Sequence, residues 1–195
     1  MLEGNKALYI LPGILIVLMI VGGMFFLNDN EGVTNEELID EIELNVEIHQ
    51  SDESVKVRAH WDWTVAPADG LNGDDYLGMV FYNESGEVVE DFSVVESELQ
   101  LFHSDEVIEQ SHAIEGENGL IFTFTNQLDE HISYGNLGEA VVTIESDEVV
   151  FAEVFLLHTW VNHSPLVSAD ATFEMVEFER GSGIPYWVLN VSTGE

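Results

Sequence analysis

The sequence predicts an all-β domain, an antiparallel β-sandwich of which the immunoglobulin-like arrangement is one form, preceded by a single N-terminal transmembrane helix. Three observations carry that reading. Residues Ala7 to Leu27 contain no charge. From Ile42 onward apolar and polar residues alternate with a period of two, the signature of half-buried strands. Turn-forming clusters then recur between short runs, with no long helical pattern among them.

Taken in order, the first element is the uncharged run. As a helix its 21 residues measure about 31 Å, enough to cross a hydrocarbon core. Lys6 and the amino terminus precede it, and no further base occurs until Lys56, so the positive-inside rule leaves residues 1–6 cytoplasmic. A cleaved signal peptide is the competing reading. Its apolar core is usually shorter and ends in small residues, whereas this run ends Gly22-Gly23-Met24-Phe25-Phe26-Leu27. An uncleaved signal-anchor over 7–27 is therefore expected, contacting membrane lipid, with the remainder outside the cell membrane. Pro12 is expected in the first helical turn, where its missing N–H costs little.

Residues 28–41 are polar and acidic and read as a linker. Within it, Thr34 and Glu37 have capping-box spacing, which predicts a short helix over 35–40. Residues 42–195 form the predicted sandwich. Ile42, Leu44, Val46 and Ile48 alternate with polar residues. In the clearest strand Val55, Val57, Ala59, Trp61, Trp63 and Val65 point to one face, and Lys56, Arg58, His60, Asp62 and Thr64 to the other. The cations there are expected to meet acids across the sheet. Further strands are expected at 76–82, 88–95, 97–103, 106–114 and 120–125. Residues 140–144 and 149–158 read as a hairpin around Glu145-Ser146-Asp147-Glu148. The last expected pair is 169–179 with 184–191, Pro185 opening its strand or lying on an edge.

The charge is extreme. Glu3 and Lys6 excepted, all 38 acids and 4 bases follow the apolar run, and the chain's formal net charge is −34. That field repels phosphate, which argues against nucleic acid and anionic headgroups as direct ligands of the domain. The acids are interleaved with apolar residues rather than gathered in a tail. In composition the chain resembles exported proteins of halophilic or alkaliphilic microbes; a cation-gathering surface is the alternative. With no cysteine, neither a disulfide framework nor attachment through a lipidated cysteine is available.

Chemistry-bearing motifs are few. Asp69, Asn72, Asp74 and Asp75 lie in a glycine-bearing turn and are the candidate calcium ligands, although their spacing is not that of an EF-hand and the same residues serve ordinary turns. Seven histidines, at 49, 60, 103, 112, 131, 158 and 163, lack zinc-site spacing. A copper or zinc site would have to be assembled across strands, with Met79 or Met175 as further ligands. His158 and His163 are five apart, which sends them to opposite faces of a strand. No nucleophile elbow, P-loop or dinucleotide fingerprint occurs, and Ser182 in Gly-Ser-Gly has no paired signature. Sequons stand at Asn83, Asn162 and Asn190. The expected role is a non-catalytic binding or assembly module with an envelope protein as partner and no resident cofactor; the alternative is an exported metal-handling protein.

The charge generates a test. The Debye length falls from about 30 Å at 0.01 M salt to about 3 Å at 1 M. Repulsion among the acids should therefore weaken, and the melting temperature of the domain should rise substantially, between those concentrations of NaCl. If the acids serve cation binding instead, CaCl₂ at matched ionic strength should stabilise far more than NaCl. An absence of response to either salt contradicts both readings.

Overall fold

The computed structural model describes residues 6–28, 32–51, 54–129 and 132–193, and divides into two compact units, Met1–Val33 and Thr34–Glu195. The first is helix α1, Lys6–Asn28. Because α1 begins at Lys6, Pro12 falls in its second turn rather than its first, where it removes an i→i−4 hydrogen bond. The side chains of residues 12–23 are all exposed. Among the described residues no helix is long and apolar enough to cross a membrane, so the fold establishes a helix at this place but not a transmembrane one.

The second unit is built from two antiparallel sheets. The first has the strand order β1 (Ile42–Gln50), β2 (Val55–Trp63), β9 (Leu137–Glu145), β4 (Ser93–His103), β5 (Glu106–Ser111). The second runs β11 (Tyr186–Ser192), β10 (Phe151–Thr159), β3 (Asn72–Tyr82), β7 (Leu120–Asp129), β6 (Ile114–Glu115), with β8 (Ile132–Ser133) also on β7. Their inner faces meet: Trp61 of β2 packs on Phe124 of β7 with ring centroids 5.1 Å apart. This agrees with the expected sandwich. The register of β2 is as predicted, with Val55, Val57, Ala59, Trp61 and Trp63 buried and Arg58 and Asp62 exposed. Trp61 lies so close over β9 that a Cβ on Gly138 would stand 2.2 Å from its ring. On the outer face Arg58 Nε is 3.7 Å from Glu139 Oε2 on the neighbouring strand, the cross-strand pairing expected of it.

Four local expectations are corrected. The predicted strands at 88–95 and 97–103 are replaced by one, β4, which begins at Ser93. A register shift between Val94 and Glu96 gives the extra residue of a bulge, and Val95 is left 59 % exposed. The run 106–114 divides between sheets, β5 to the first and β6 to the second. The expected hairpin around 145–148 is an arch, because β9 and β10 enter different sheets. Alternation in both strands is equally satisfied by facing each other across the core: Ala140, Val142 and Ile144 are buried on one side, Ala152, Val154 and Leu156 on the other.

The fourth correction matters most. Residues 169–179 form no strand. The segment 160–185 instead lies over the outer face of the second sheet and closes on itself: Val167 N–H donates to Glu177 O at 2.8 Å, and Glu179 N–H to Pro165 O at 2.9 Å. Its Ala171, Phe173 and Phe178 join Tyr76, Val80, Ile121 and Leu157 of the sheet in a second apolar core. That is why β3 is buried continuously from Asp75 to Phe81 instead of alternating. A Cβ on Gly78 would stand 1.9 Å from Ala171 O, so only glycine admits the segment there. Pro185 does directly precede β11, an edge strand.

Removal of the Trp61 ring should cost about 3–5 kcal/mol in urea denaturation of Trp61→Ala, because the site cannot collapse around so large a void. Asp62→Ala, on the exposed face, should stay within about 0.5 kcal/mol. Equal costs would show the register to be misassigned.

Candidate functional site

The polar chemistry of the domain converges at one end of β10. Among the described residues the buried polar ones are Asn35, Asp75, Asn126, His158 and Thr159, all with no measurable exposure, and the five are directly linked. Period two places Asp75 of β3, Asn126 of β7 and His158 of β10 on the inner faces of adjacent strands. Burying so many polar groups is tolerable only because they satisfy one another.

His158 is the centre. Its Nδ1 lies 2.8 Å from Asp75 Oδ2, and its Nε2 lies 2.9 Å from Asn35 Oδ1. The orientation of Asn35 follows from its surroundings: Nδ2 has two acceptors, Asp69 Oδ1 at 2.8 Å and Gly70 O at 2.7 Å, so the other atom is the oxygen. Nε2 must then carry a proton and donate. Asp75 Oδ1 accepts from Asn126 Nδ2 at 3.0 Å and from Thr159 N–H at 2.8 Å. Both ring nitrogens therefore face oxygens, and a further proton lies in the contact between Nδ1 and Asp75 Oδ2, with Asn126 Nδ2 3.3 Å from the same Nδ1. Three tryptophans wall the ring: Trp63 edge-on at 5.1 Å, Trp187 at 4.6 Å and Trp160 stacked at 5.6 Å.

A buried histidine–carboxylate pair is the arrangement that catalytic triads use. Here the nitrogen that would serve a nucleophile is held by Asn35, and the pair functions as a clamp. Thr159 directs its Oγ1 to Asp74 O at 2.9 Å. His163 lies beyond the end of β10, against Tyr76 and Phe178 of the outer core, so the two histidines do fall on opposite sides of the sheet.

The calcium candidates are dispersed. Asp75 is committed to His158, Asp69 accepts the Asn35 backbone N–H at 2.9 Å as well as its Nδ2, and Asn72 is exposed at the start of β3. Asp74 and Asp75 are consecutive in β3 and point to opposite faces. Among the described residues no group of three or more His, Cys, Asp or Glu side chains could hold a metal. Met79 is buried in the inner core and Met175 is 80 % exposed, so the thioethers do not converge either. His131 lies outside the described residues. A surface hollow of about 530 Å³ is lined by turns including Asn83-Glu84-Ser85 and Ser146-Asp147-Glu148, toward the opposite end of β10 from His158.

Asn35 and Asn126 are residues that sequence reasoning missed, Asn35 lying in the stretch read as a linker. Residues 29–31 of that stretch are outside the described residues, but Thr34 to Asp40 fold onto the sandwich, with Asn35 and Leu38 buried. The capping signal is half realised. Glu37 accepts the Thr34 N–H at 3.0 Å and its hydroxyl at 2.9 Å, and these bonds lower the Glu37 pKa. The predicted helix shrinks to a 3₁₀ turn, Leu38–Asp40.

Carboxylates elsewhere shift in both directions. Burial raises Asp74, although much of the residue meets solvent; His163 opposes the rise, and Glu109 and Asp75 add to it. Burial also pushes Asp170 upward, but donors from Thr172 and Asn118 outweigh it and leave the value lowered. A raised carboxyl destabilises the fold while ionised, so Asp74 favours folding as pH falls through its folded value. Glu37 and Asp170 act oppositely: their contribution is present above their unfolded values near 4 and is lost as pH falls through the folded ones. Like-charge crowding is thus not the leading cause of any of these shifts.

No protein-family model matches this chain, and a comparison with curated proteins returns no match.

Asp75→Ala leaves His158 facing an empty acceptor position and should cost about 3–5 kcal/mol in urea denaturation. Asp75→Asn should cost much less, because its Nδ2 can donate to Nδ1 of a neutral ring that keeps its proton on Nε2. Equal losses in the two variants would show that the carboxylate, and not the hydrogen-bond pattern, holds the clamp.

Proposed function

We propose that the chain is a single-pass, membrane-tethered binding or assembly module of the cell envelope. Its amino terminus is cytoplasmic, its acidic β-sandwich lies outside, and its partner is an envelope protein. The observation that carries this reading is the fate of the domain's polar chemistry. His158 and Asp75 are wholly buried and their polar atoms are engaged in holding strands and the Thr34–Asp40 segment together. The tether is supported by the apolar side chains from Ile14 to Val21, which are 44–70 % exposed along α1 and unsuited to water. A sandwich presents loops and two broad faces to a partner without needing a catalytic cleft.

Protease added to intact spheroplasts should remove the domain and leave a small membrane fragment. Protection of the domain would invert the orientation, and free mature domain in the medium would show cleavage. Crosslinking in membranes followed by affinity capture should recover one reproducible envelope protein, and its consistent absence contradicts a binding role. Stoichiometric metal retained by the dialysed protein would favour the metal-handling alternative.

A further inference from the structure

The domain holds Asn35 as a binding site holds a small ligand. The carboxamide oxygen faces His158 Nε2 at 2.9 Å. The two hydrogens of Nδ2 meet Asp69 Oδ1 at 2.8 Å and Gly70 O at 2.7 Å. Backbone contacts complete the grip: Asn35 N–H donates to Asp69 Oδ1, and Trp187 Nε1 donates to Asn35 O at 2.7 Å. One donor and two acceptors around a planar group specify a primary carboxamide. A carboxylate there would set an oxygen against Asp69 and Gly70 O, and an apolar group would orphan all three partners.

Two further observations separate this from ordinary packing. First, Trp63, packed edge-on against His158, keeps a buried indole Nε1 that has no partner among the described residues. Native cores rarely leave such groups unpaired, and binding sites do. Second, the occupant is borne on a short segment that belongs to neither sheet. Thr34–Asp40 opens the compact unit as a turn and a 3₁₀ turn, secured otherwise by Leu38 and by the exposed Glu37 cap.

We propose that His158, Asp69, Gly70 O and the surrounding tryptophans form a carboxamide-binding site that the chain's own Asn35 occupies as an autoinhibitory contact. Lifting of the Thr34–Asp40 strap opens it to an asparagine or glutamine side chain of a partner polypeptide. The site itself stands whether or not the chain is membrane-tethered; the partner's polypeptide nature rests on the proposed binding role. The affinity of an external amide is then reduced by the small fraction of molecules with the strap lifted.

The test uses the full chain in detergent, with acetamide as probe and acetone and acetate as controls of similar size. Asn35→Gly removes a group equivalent to acetamide, so its melting temperature should fall by several degrees. Acetamide should largely and saturably restore it, with a matching change in tryptophan emission. Acetone and acetate should not. Rescue by acetone as strong as that by acetamide, or no rescue, overturns the proposal. Should Asn35→Gly not fold, Glu37→Ala loosens the strap from its exposed cap alone, because no acceptor remains for the Thr34 N–H and hydroxyl. Acetamide should then shift tryptophan emission saturably at severalfold lower concentration than in the wild type, and identical titrations overturn the proposal. These readouts are independent of the spheroplast and capture experiments, so either reading can fail alone.

Discussion

The contact between His158 and Asp75, extended to Asn35 and Asn126, is the constraint on which the rest of the domain depends. It ties β3, β7 and β10 together at their inner faces and fastens the residues that open the domain to the same point. Hydrophobic burial is non-directional and would tolerate several strand registers. A buried hydrogen-bonded network tolerates few, since a one-residue slip of any strand would turn a polar group away and orphan the others. The network contributes little net stability beyond what an apolar replacement could supply, because desolvation of the buried polar groups offsets most of what their hydrogen bonds gain. Its effect is to specify which arrangement forms.

The second sheet shows how apolar surface was allotted. Its inner face packs on the first sheet, and its outer face, with Tyr76, Val80, Ile121 and Leu157, would be an exposed apolar patch on a plain two-layer sandwich. The segment 160–185 covers it without joining any ladder, because its backbone groups pair within itself, with nearby hydroxyls and with the Glu117–Asn118 turn, whose Glu117 N–H donates to Ala169 O and whose Asn118 Oδ1 accepts from Ala171 N–H, each at 2.7 Å. Ser164 Oγ donates to Arg180 O at 2.7 Å, and Leu166 N–H donates to the Tyr76 oxygen at 3.2 Å. Burial pushes the Tyr76 phenol up to about 12, so it remains a neutral hydroxyl able to accept that bond. The outer face of the first sheet needs no cover. Lys56, Arg58, Glu96, Glu98 and Glu139 make it polar, with the two cations among the acids.

The acid excess is consistent with this architecture. Charged groups lie mainly on outward positions, while the buried carboxylate of Asp75 is matched by a histidine within 2.8 Å. The shifts that are resolved trace first to burial or to hydrogen bonds, at Asp74, Glu37 and Asp170, and not to the sum of surface repulsion. Salt therefore acts on the domain through its long-range field, whereas the polar core, shielded from ions, is governed by geometry.

The sequence by itself determined the helical segment at the amino terminus, the all-β class and the face each residue of β2 presents, because these follow from composition and from the period of two along a single strand. It also marked Thr34 and Glu37 as a cap, since capping is local. What it could not determine was pairing across the fold. The alternation in β9 and β10 fits a hairpin as well as an arch, and the apolar residues of 169–179 fit a strand as well as a covering loop. The candidate site was illegible for the same reason. Asn35, Asp75, Asn126 and His158 are ordinary residues at separations of 32 to 123 positions, and no local spacing announces them. Only the tertiary structure, by burying all four at one point where water cannot satisfy them, made each the obligatory partner of the next.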